Sequence, residues 1–465
     1  MVNSRFSSEN IKKAHFVGIG GIGISALARH YLALGYLVTG SDASDSDILA
    51  ELQDDGVLIY KSHNADNVSK DVEILIYSTA VPSVNPEIVQ AKNLGIEIKT
   101  YAEAIGDLTR KYFTIAVSGS HGKSTTTSLI GLILLKAGYD PTIIVGTKLK
   151  ELGNRNYRKG ESQYLVLEAD EWNKSFLNYS PKMIVLTNID NEHLDTYKNF
   201  KGVVAGFKSY LDNMQSHGVL VANFKDKEIR KLAERMDRKK DRTVIFYNET
   251  KFKPHSIGIP GDYNQVNAEG AYRAANFLGI KRPVVESVLR EYHGAWRRME
   301  FLGEGTFGNK FSKSVKIFSD YAHHPTEIKA TLKAFKEKHK NEKIVCIFEP
   351  HQAKRLEALF PDFIASFTNS DLTIILPAYR VLGRDDKDNL SKIGSLKLSV
   401  ARHELAEPKD AFALTQELKK RRKKVFYSPD FESIIKTLNN NLESKSVLIF
   451  MGAGAVDANL RHFLG

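Results

Sequence analysis

Cysteine is almost absent from this 465-residue chain: the one thiol, Cys346, sits inside the apolar run IVCIF. A single cysteine excludes an intramolecular disulfide and any multi-cysteine zinc site, and its expected role is a small buried apolar side chain. Long apolar runs are missing too. None approaches the roughly 18 residues a membrane-crossing helix needs, and residues 1–10 lack a signal-peptide core, so the expected location is cytoplasmic, without membrane insertion. No internal repeat or low-complexity tract occurs. No histidine pair fits HExxH, and the adjacent His323 and His324 cannot both face one metal from a regular strand, so zinc is not expected. Charge of one sign is not concentrated either. Lys and Arg number 66 against 55 Asp and Glu, a net +11, with basic and acidic residues interleaved. The one dense run, KKRRKK at 419–424, follows the helical pattern AFALTQEL and precedes the strand VFY, where cations favour a helix C-terminus. It reads as a solvated surface, so nucleic acid is not an expected partner, and the positive balance favours anionic small molecules.

What is present is an ordinary soluble composition, 42% hydrophobic and 26% charged, at a length that suggests about three domains. The organising stretch is Tyr112–Gly138, YFTIAVSGSHGKSTTTSLIGLILLKAG. It predicts a buried strand over Phe113–Val117, a tight SGSHGKS loop, and a helix from Thr125 to about Lys136. A strand feeding a glycine loop at a helix N-terminus cradles phosphate through unpaired N–H groups and the positive end of the helix dipole. Gly119 and Gly122 let the backbone curl around an anion, Lys123 can reach β/γ-phosphates, and Ser124 can hold Mg²⁺. Where the usual loop has its first glycine, this chain has Val117, leaving a shorter GxxGKS.

Upstream, residues 14–42 form a strand–loop–helix–strand unit in which Gly18, Gly20 and Gly23 fit G-x-G-x-x-G and Asp42 ends the next strand. Alone, this fingerprint indicates a dinucleotide such as NAD, with the acid on a ribose hydroxyl. Strands over 57–60, 73–81 and 96–100 continue the alternation. Downstream, YLVLEAD (164–170) and KMIVLTNID (182–190) end in Glu168, Asp170, Glu171, Asn188, Asp190 and His193, groups compatible with Mg²⁺ on the rim that carries the phosphate loop. Asn264 and Asn267 open a later helix, where one could serve only as a cap. From about Trp296 a third alternating unit places Asp320, His323, His324, His351 and Arg355 near strand ends.

Together, GIGGIGIS, GSHGKSTTT, EADE with SFL, NIDNEHLDTY, PGDYNQVNA, RRMEFLGE and SDYAHHPTEI resemble, in order and across the whole chain, the Mur ligase family of ATP-dependent amide-forming enzymes of peptidoglycan synthesis. The resemblance implies an α/β fold of three domains: a Rossmann-like UDP-sugar domain (1–108), a central P-loop ATPase-like domain (109–294), and a Rossmann-like amino-acid domain (295–465). It implies that L-alanine is joined to the lactoyl carboxylate of UDP-N-acetylmuramate through an acyl phosphate, with ATP and Mg²⁺ required and ADP and phosphate released. The implied ATP cradle is Gly119, Ser120, His121, Gly122, Lys123, Ser124 and Thr125, with Asn264, Asn267 and Arg298. Ser124 and Glu168 would hold one Mg²⁺, His193 a second, and Asp320 would help place the nucleotide. Gly18, Gly20, Gly21, Gly23, Ser25, Asp42, Ser78 and Thr79 fall where the family binds UDP-sugar, which replaces the NAD reading. His324 and Arg355 fall on the amino-acid side, and the implied assembly is a monomer or weak homodimer.

Several positions depart from the family pattern. Gln352 stands where an arginine holds the amino acid's carboxylate, Trp172-Asn173 replaces Ser-Asp, Tyr263 replaces His, and YRVLGRDD (379–386) replaces a shorter loop. Gln352 leaves the acceptor open to Gly or Ser. A relative that attaches a recycled murein tripeptide usually carries a first loop like GICGTFM, unlike GIGGIGIS here. An NAD(P)-dependent oxidoreductase leaves the GKS loop and the acidic rim unexplained, and the intact Lys123, Glu168 and His193 argue against a catalytically silent nucleotide binder.

Overall fold

The computed structural model describes residues 11–44, 46–239, 241–249, 257–308, 310–379, 409–421, 424–443 and 445–465. The first ten residues, part of the KKRRKK run and the variant loop beyond Tyr379 lie outside them. Apolar strand runs bounded by turn residues build three sheets. The first comprises β1 (Lys13–Val17), β2 (Leu37–Ser41), β3 (Leu58–Tyr60), β4 (Ile74–Tyr77) and β5 (Glu97–Thr100), in the order β3-β2-β1-β4-β5 and wholly parallel. The order reverses between β1 and β4, so the glycine loop after β1 opens at the switch point of a doubly wound sheet.

The second sheet comprises β6 (Phe113–Ser118), β7 (Thr142–Leu149), β8 (Arg155–Arg158), β9 (Tyr164–Glu168), β10 (Met183–Leu186), β11 (Val219–Asn223) and β12 (Thr243–Tyr247), in the order β12-β11-β10-β6-β9-β7-β8. Only β8 runs antiparallel, against β7. That pair is absent from the sequence reading. Strand β6 is central, with β9 and β10 at its sides, which puts the carboxyl ends carrying Glu168 and Thr187 next to the phosphate loop. The third sheet comprises β13 (Glu300–Gly305), β14 (Val315–Asp320), β15 (Lys343–Phe348), β16 (Leu372–Ile375), β17 (Val425–Tyr427) and β18 (Ser446–Met451), with β13 the antiparallel edge. Cys346 is buried in β15, as its apolar setting predicts.

The chain packs as two compact units. One runs to Ile257 and adds Gln265–Tyr292; the other combines Gly258–Asn264 with His293–Gly465. Within the first unit, sheets one and two share a continuous apolar core containing Phe16, Leu27, Ile105, Phe176, Phe207 and Ile184. The helix Tyr101–Lys111 joins them. A capping box starts it, with the Glu103 N–H donating to Thr100 Oγ1 at 3.2 Å and the Thr100 N–H to Glu103 Oε2 at 2.7 Å.

Charge closes the same junction. The helix after the first glycine loop, Ile22–Ala33, lies against β7 and β8. Its Arg29 donates to Asp55 (2.7 Å) and Glu51 (3.1 Å), while Lys148 and Arg155 reach the same carboxylates from sheet two. Burial raises the Glu51 carboxyl, but Lys148, Arg29 and Arg155 together hold it below its ordinary value. His30 sits 3.1 Å from the Tyr157 hydroxyl, and burial pushes the imidazole down to about 4, so it is neutral at pH 7. Among the described residues no helix is long and apolar enough to cross a membrane.

Phe176 shows how dense this shared core is: fully buried, it stacks on Tyr210 (4.5 Å) and meets Phe207 edge-on (5.3 Å). Phe176→Ala is expected to lower the unfolding free energy by about 3–5 kcal/mol. A urea titration followed by circular dichroism measures it, and a loss under about 1 kcal/mol contradicts this packing.

Candidate active site

The phosphate loop begins as β6 ends. Gly119 (φ +134°) and Gly122 (φ +81°) take left-handed backbone values, and each also lacks room for a Cβ, the first against Thr187 Oγ1 and the second against the Asn267 amide. Gly122 is the N-cap of the helix Lys123–Lys136, which starts two residues before the expected Thr125 because that left-handed turn places Lys123 in helical geometry at once. Among the described residues no side chain caps this helix, which suits an incoming anion. The loop is pinned to the end of β10. The Ser120 N–H donates to Asn188 O (3.0 Å), the His121 N–H to Asn188 Oδ1 (2.8 Å), and Thr187 Oγ1 to His121 O (2.7 Å). His121 Nε2 and Asp190 Oδ2 lie 3.0 Å apart, while Thr125 is buried in the first helical turn.

Lys123 is the centre of charge. Its ammonium donates to Gly119 O (2.8 Å) and to Glu171 Oε2 (2.9 Å), with Asp170 at 3.6 Å. Burial disfavours its charge, but Glu171, Asp170 and Glu168 outweigh burial and hold Lys123 above its ordinary value. Burial in turn pushes the Glu171 carboxyl up. Its Oε1 has no hydrogen-bond partner among the described residues and lies 3.6 Å from His193 Nε2, on a residue held at φ +54°. Donor atoms of Asp170, Glu171 and His193 all fall within 4.8 Å of one another. Beside them, Ser124 Oγ donates to Glu168 Oε1 (3.0 Å), and Glu168 Oε2 accepts the Gly146 N–H (2.8 Å). Ser124 is thus brought to Glu168, whereas His193 is brought to Glu171. Glu171 as the partner of Lys123 escaped the sequence reading, although EADE already placed it at this strand end.

Asn267 meets Gly122 inside the first unit. Asn264 belongs to the second, where its amide donates to Pro260 O (2.6 Å); the helix containing both, Asp262–Phe277, starts earlier than expected. The substituted Asn173 and its neighbour Lys174 adopt left-handed backbone, a conformation asparagine tolerates better than most residues. The substituted Tyr263 turns its hydroxyl to Met299 Sδ at 3.2 Å.

At the first sheet, the Gly18 and Ile19 N–H groups both donate to Ser41 O (2.8 and 3.1 Å), and the Gly20 N–H donates to Asp42 Oδ2 (2.9 Å). Asp42 therefore braces the glycine loop itself. Gly21 is the N-cap of Ile22–Ala33, and Gly23 packs on the Tyr101 ring. Ser25 is fully buried; its hydroxyl donates to Ile22 O (3.0 Å) and accepts from Asn156 (3.0 Å), which directs it into the fold. Ser78 and Thr79 follow β4, where Ser78 Oγ accepts the Ala80 N–H at 3.3 Å.

In the second unit, both Asp320 oxygens accept backbone N–H groups, from Met299 (2.8 Å) and Ala322 (2.9 Å). Arg297 is fixed by Gly452 O (2.6 Å) and Gly454 O (3.2 Å), while Arg298 lies over the Tyr321 ring at 4.8 Å and 3.9 Å from Glu327. His324 caps the helix Pro325–Lys338, with Nδ1 accepting the Thr326 N–H at 3.3 Å. Gln352, at φ +66°, precedes the helix Ala353–Ala358 that carries Arg355, and the His351 ring stacks on Tyr379 at 5.9 Å.

One glycine loop ringed by acids and a second at the switch point of the first sheet lie in the same unit, an arrangement built to hold phosphate groups at two helix starts. Three family models cover the chain in order: the Mur ligase catalytic domain over 13–113, the Mur ligase middle domain over 117–275, and the Mur ligase glutamate ligase domain over 297–454; the chain belongs to the Mur ligase family. Among relatives, it is 34% identical to the UDP-N-acetylmuramate–L-alanine ligase of Hydrogenobaculum sp. (strain Y04AAS1), over 96% of this chain and 97% of that one. It is 32% identical to the enzyme of that name from Aquifex aeolicus (strain VF5), over 98% of both. The crystal structure of the UDP-N-acetylmuramate–alanine ligase MurC from Thermotoga maritima superposes with a TM-score of 0.77 at 26% identity, covering 97% of this chain and 98% of that one. A murein peptide ligase from Psychrobacter arcticus shares the fold at TM-score 0.66 and 19% identity.

Burial raises the Asp320 carboxyl to about 6, against the opposing pull of the Ala322 and Met299 N–H groups and Arg298. An unfolded aspartate releases its proton near about 3.9, so the native state binds more protons between about pH 4 and 6. Its contribution to stability is full below about pH 4 and is lost as pH rises through about 6. Urea unfolding at pH 4.5 and 6.5 should show a decrease on the order of 2 kcal/mol that Asp320→Asn abolishes. The same pH response in both proteins contradicts this assignment.

Proposed function

We propose that this chain joins the amine of L-alanine to the lactoyl carboxylate of UDP-N-acetylmuramate at the expense of ATP. The observation that carries this reading is the whole-length likeness to curated UDP-N-acetylmuramate–L-alanine ligases, 32–34% identical over 95–98% of this chain. Residues 1–108 are assigned to UDP-sugar, 109–294 to ATP and 295–465 to the amino acid. Amide formation from a carboxylate in water is uphill, so the carboxylate is first activated. A carboxylate oxygen attacks the γ-phosphorus, the bond to the β–γ bridging oxygen breaks, and ADP leaves. The alanine nitrogen then attacks the acyl carbon, loses a proton, and phosphate departs from the tetrahedral intermediate. Each step asks the protein for positioning and charge neutralisation more than for covalent chemistry.

The residues fit these tasks. Lys123, kept charged by Glu171, is assigned to the β/γ-phosphates and Arg298 to the γ-phosphate. Gly119, Ser120, His121, Gly122, Ser124, Thr125, Asn264 and Asn267 complete the ATP contacts. The site also suits Mg²⁺: hydroxyl and carboxylate oxygens dominate the donors, and the buried Glu171 Oε1 lacks a hydrogen-bond partner among the described residues. Ser124 and Glu168 would hold one ion, and His193 with Glu171 and Asp170 another. Bound there, Mg²⁺ supplies the positive charge that lets a triphosphate sit beside three carboxylates. Gly18, Gly20, Gly21, Gly23, Asp42, Ser78 and Thr79 are assigned to UDP-sugar, and His324 and Arg355 to the amino acid. Nucleotide substrates of this kind place the enzyme in the cytoplasm.

Phosphate release from ATP is expected only when UDP-N-acetylmuramate and an amino acid are both present, with L-alanine preferred across a panel that includes Gly and Ser. Release without the sugar nucleotide overturns the ligase reading, while preference for Gly or Ser changes only the acceptor. Lys123→Ala should lower ATP turnover by at least about a thousandfold yet leave UDP-N-acetylmuramate binding within about twofold, measured by phosphate release and calorimetry. Equal loss of both in a folded variant contradicts the assignment of the two nucleotides to separate loops.

A further inference from the structure

Asn156 is a fully buried polar residue on β8, the short strand of the second sheet. Its Nδ2 donates to Ile22 O (2.5 Å) and to Ser25 Oγ (3.0 Å), and its Oδ1 accepts from Arg29 Nη1 (2.6 Å). All three partners lie on the Ile22–Ala33 helix, two of them in the first turn after the first glycine loop. Every polar atom of the amide is therefore used to hold one helix end from a neighbouring sheet. The Ile22 carbonyl receives the Ser25 hydroxyl as well, so the first turn is tied twice at one point.

The strand paired with β8 reaches the other loop. The Gly146 N–H on β7 donates to Glu168, and Glu168 accepts from Ser124 at the start of the phosphate-loop helix. One antiparallel hairpin thus holds the start of the first helix directly and connects to that of the phosphate-loop helix through Glu168. Tyr157, the next residue on β8, meets the same helix further along, at His30.

We propose that Asn156 is a positioning residue for the sugar nucleotide, fixing the first turn of the Ile22–Ala33 helix so that its N–H groups meet the diphosphate in one orientation. This rests on the assignment of UDP-sugar to the first loop. Removing the amide takes one buried partner each from Ile22 O, Ser25 Oγ and Arg29 Nη1 and lets the helix start shift against its own sheet. The same removal leaves Ser124 and Glu168 in place.

The test is calorimetric titration of the full chain with UDP and, separately, with Mg·ADP. Asn156→Ala is expected to weaken UDP binding about tenfold and Mg·ADP binding by less than about twofold. Tyr157→Phe, which breaks a contact between the same two elements away from the first turn, should leave UDP binding within about twofold. Should Asn156→Ala not fold, Asn156→Ser, which keeps a small hydroxyl, makes the same comparison. Unchanged UDP affinity in a folded Asn156 variant overturns the proposal, as does equal weakening of UDP and Mg·ADP. Weakening by Tyr157→Phe as large as that by Asn156→Ala also overturns it, since both would then report general loosening. A wild-type chain that does not bind UDP overturns the ligase reading along with this one.

Discussion

Burying an ammonium is the constraint from which the active-site architecture follows. Lys123 lies at the base of a glycine loop, largely shielded from water, and a lone cation there would be unstable. Glu171 supplies the compensating charge, and the Gly119 carbonyl takes a further donor. Once Glu171 is committed, its own burial has to be managed. The Tyr197 hydroxyl donates to its backbone carbonyl at 2.7 Å, and His193 is brought near its second oxygen on a left-handed backbone. The acidic rim is therefore a consequence of keeping one lysine charged as much as a device for holding cations.

Much of this was legible beforehand, for a local reason. The two glycine loops, the strand end bearing Glu168 and the following loop bearing His193 depend on residues close in sequence, whose spacing carries the geometry. What was not legible depends on pairing. Strands β7 and β8 received no assignment from the sequence; RNYR shows no apolar alternation, and the partner of β8 is chosen by the hairpin alone. Asn156 could not be told from a surface asparagine without that hairpin. Glu171 stood in plain sight in EADE, yet its pairing with Lys123 requires the register of β9 beside β6.

The two arginines at 297 and 298 make the same point at finer scale. In the sequence, only the family resemblance singles out Arg298 from the pair. In the second unit, Arg297 is bound by two backbone carbonyls and lies 3.8 Å from the buried Asp457, which gives it a structural task. Arg298 lies over the Tyr321 ring and 3.9 Å from Glu327. Asp320 holds both neighbours indirectly: its acceptance of the Met299 N–H and the bond from the Tyr321 N–H to Arg297 O (2.6 Å) fix the turn between them. Its burial is thus tied to orienting guanidinium groups as well as to any contact with nucleotide.

The solitary thiol in β15 has a further use. Cys346 is fully buried midway along a strand flanked by β16 and β18. A thiol-specific reagent can reach it only when that strand is exposed, so the rate of alkylation under native conditions counts openings of the third sheet. With no second cysteine to confuse the signal, the chain carries its own clock for the integrity of its C-terminal unit.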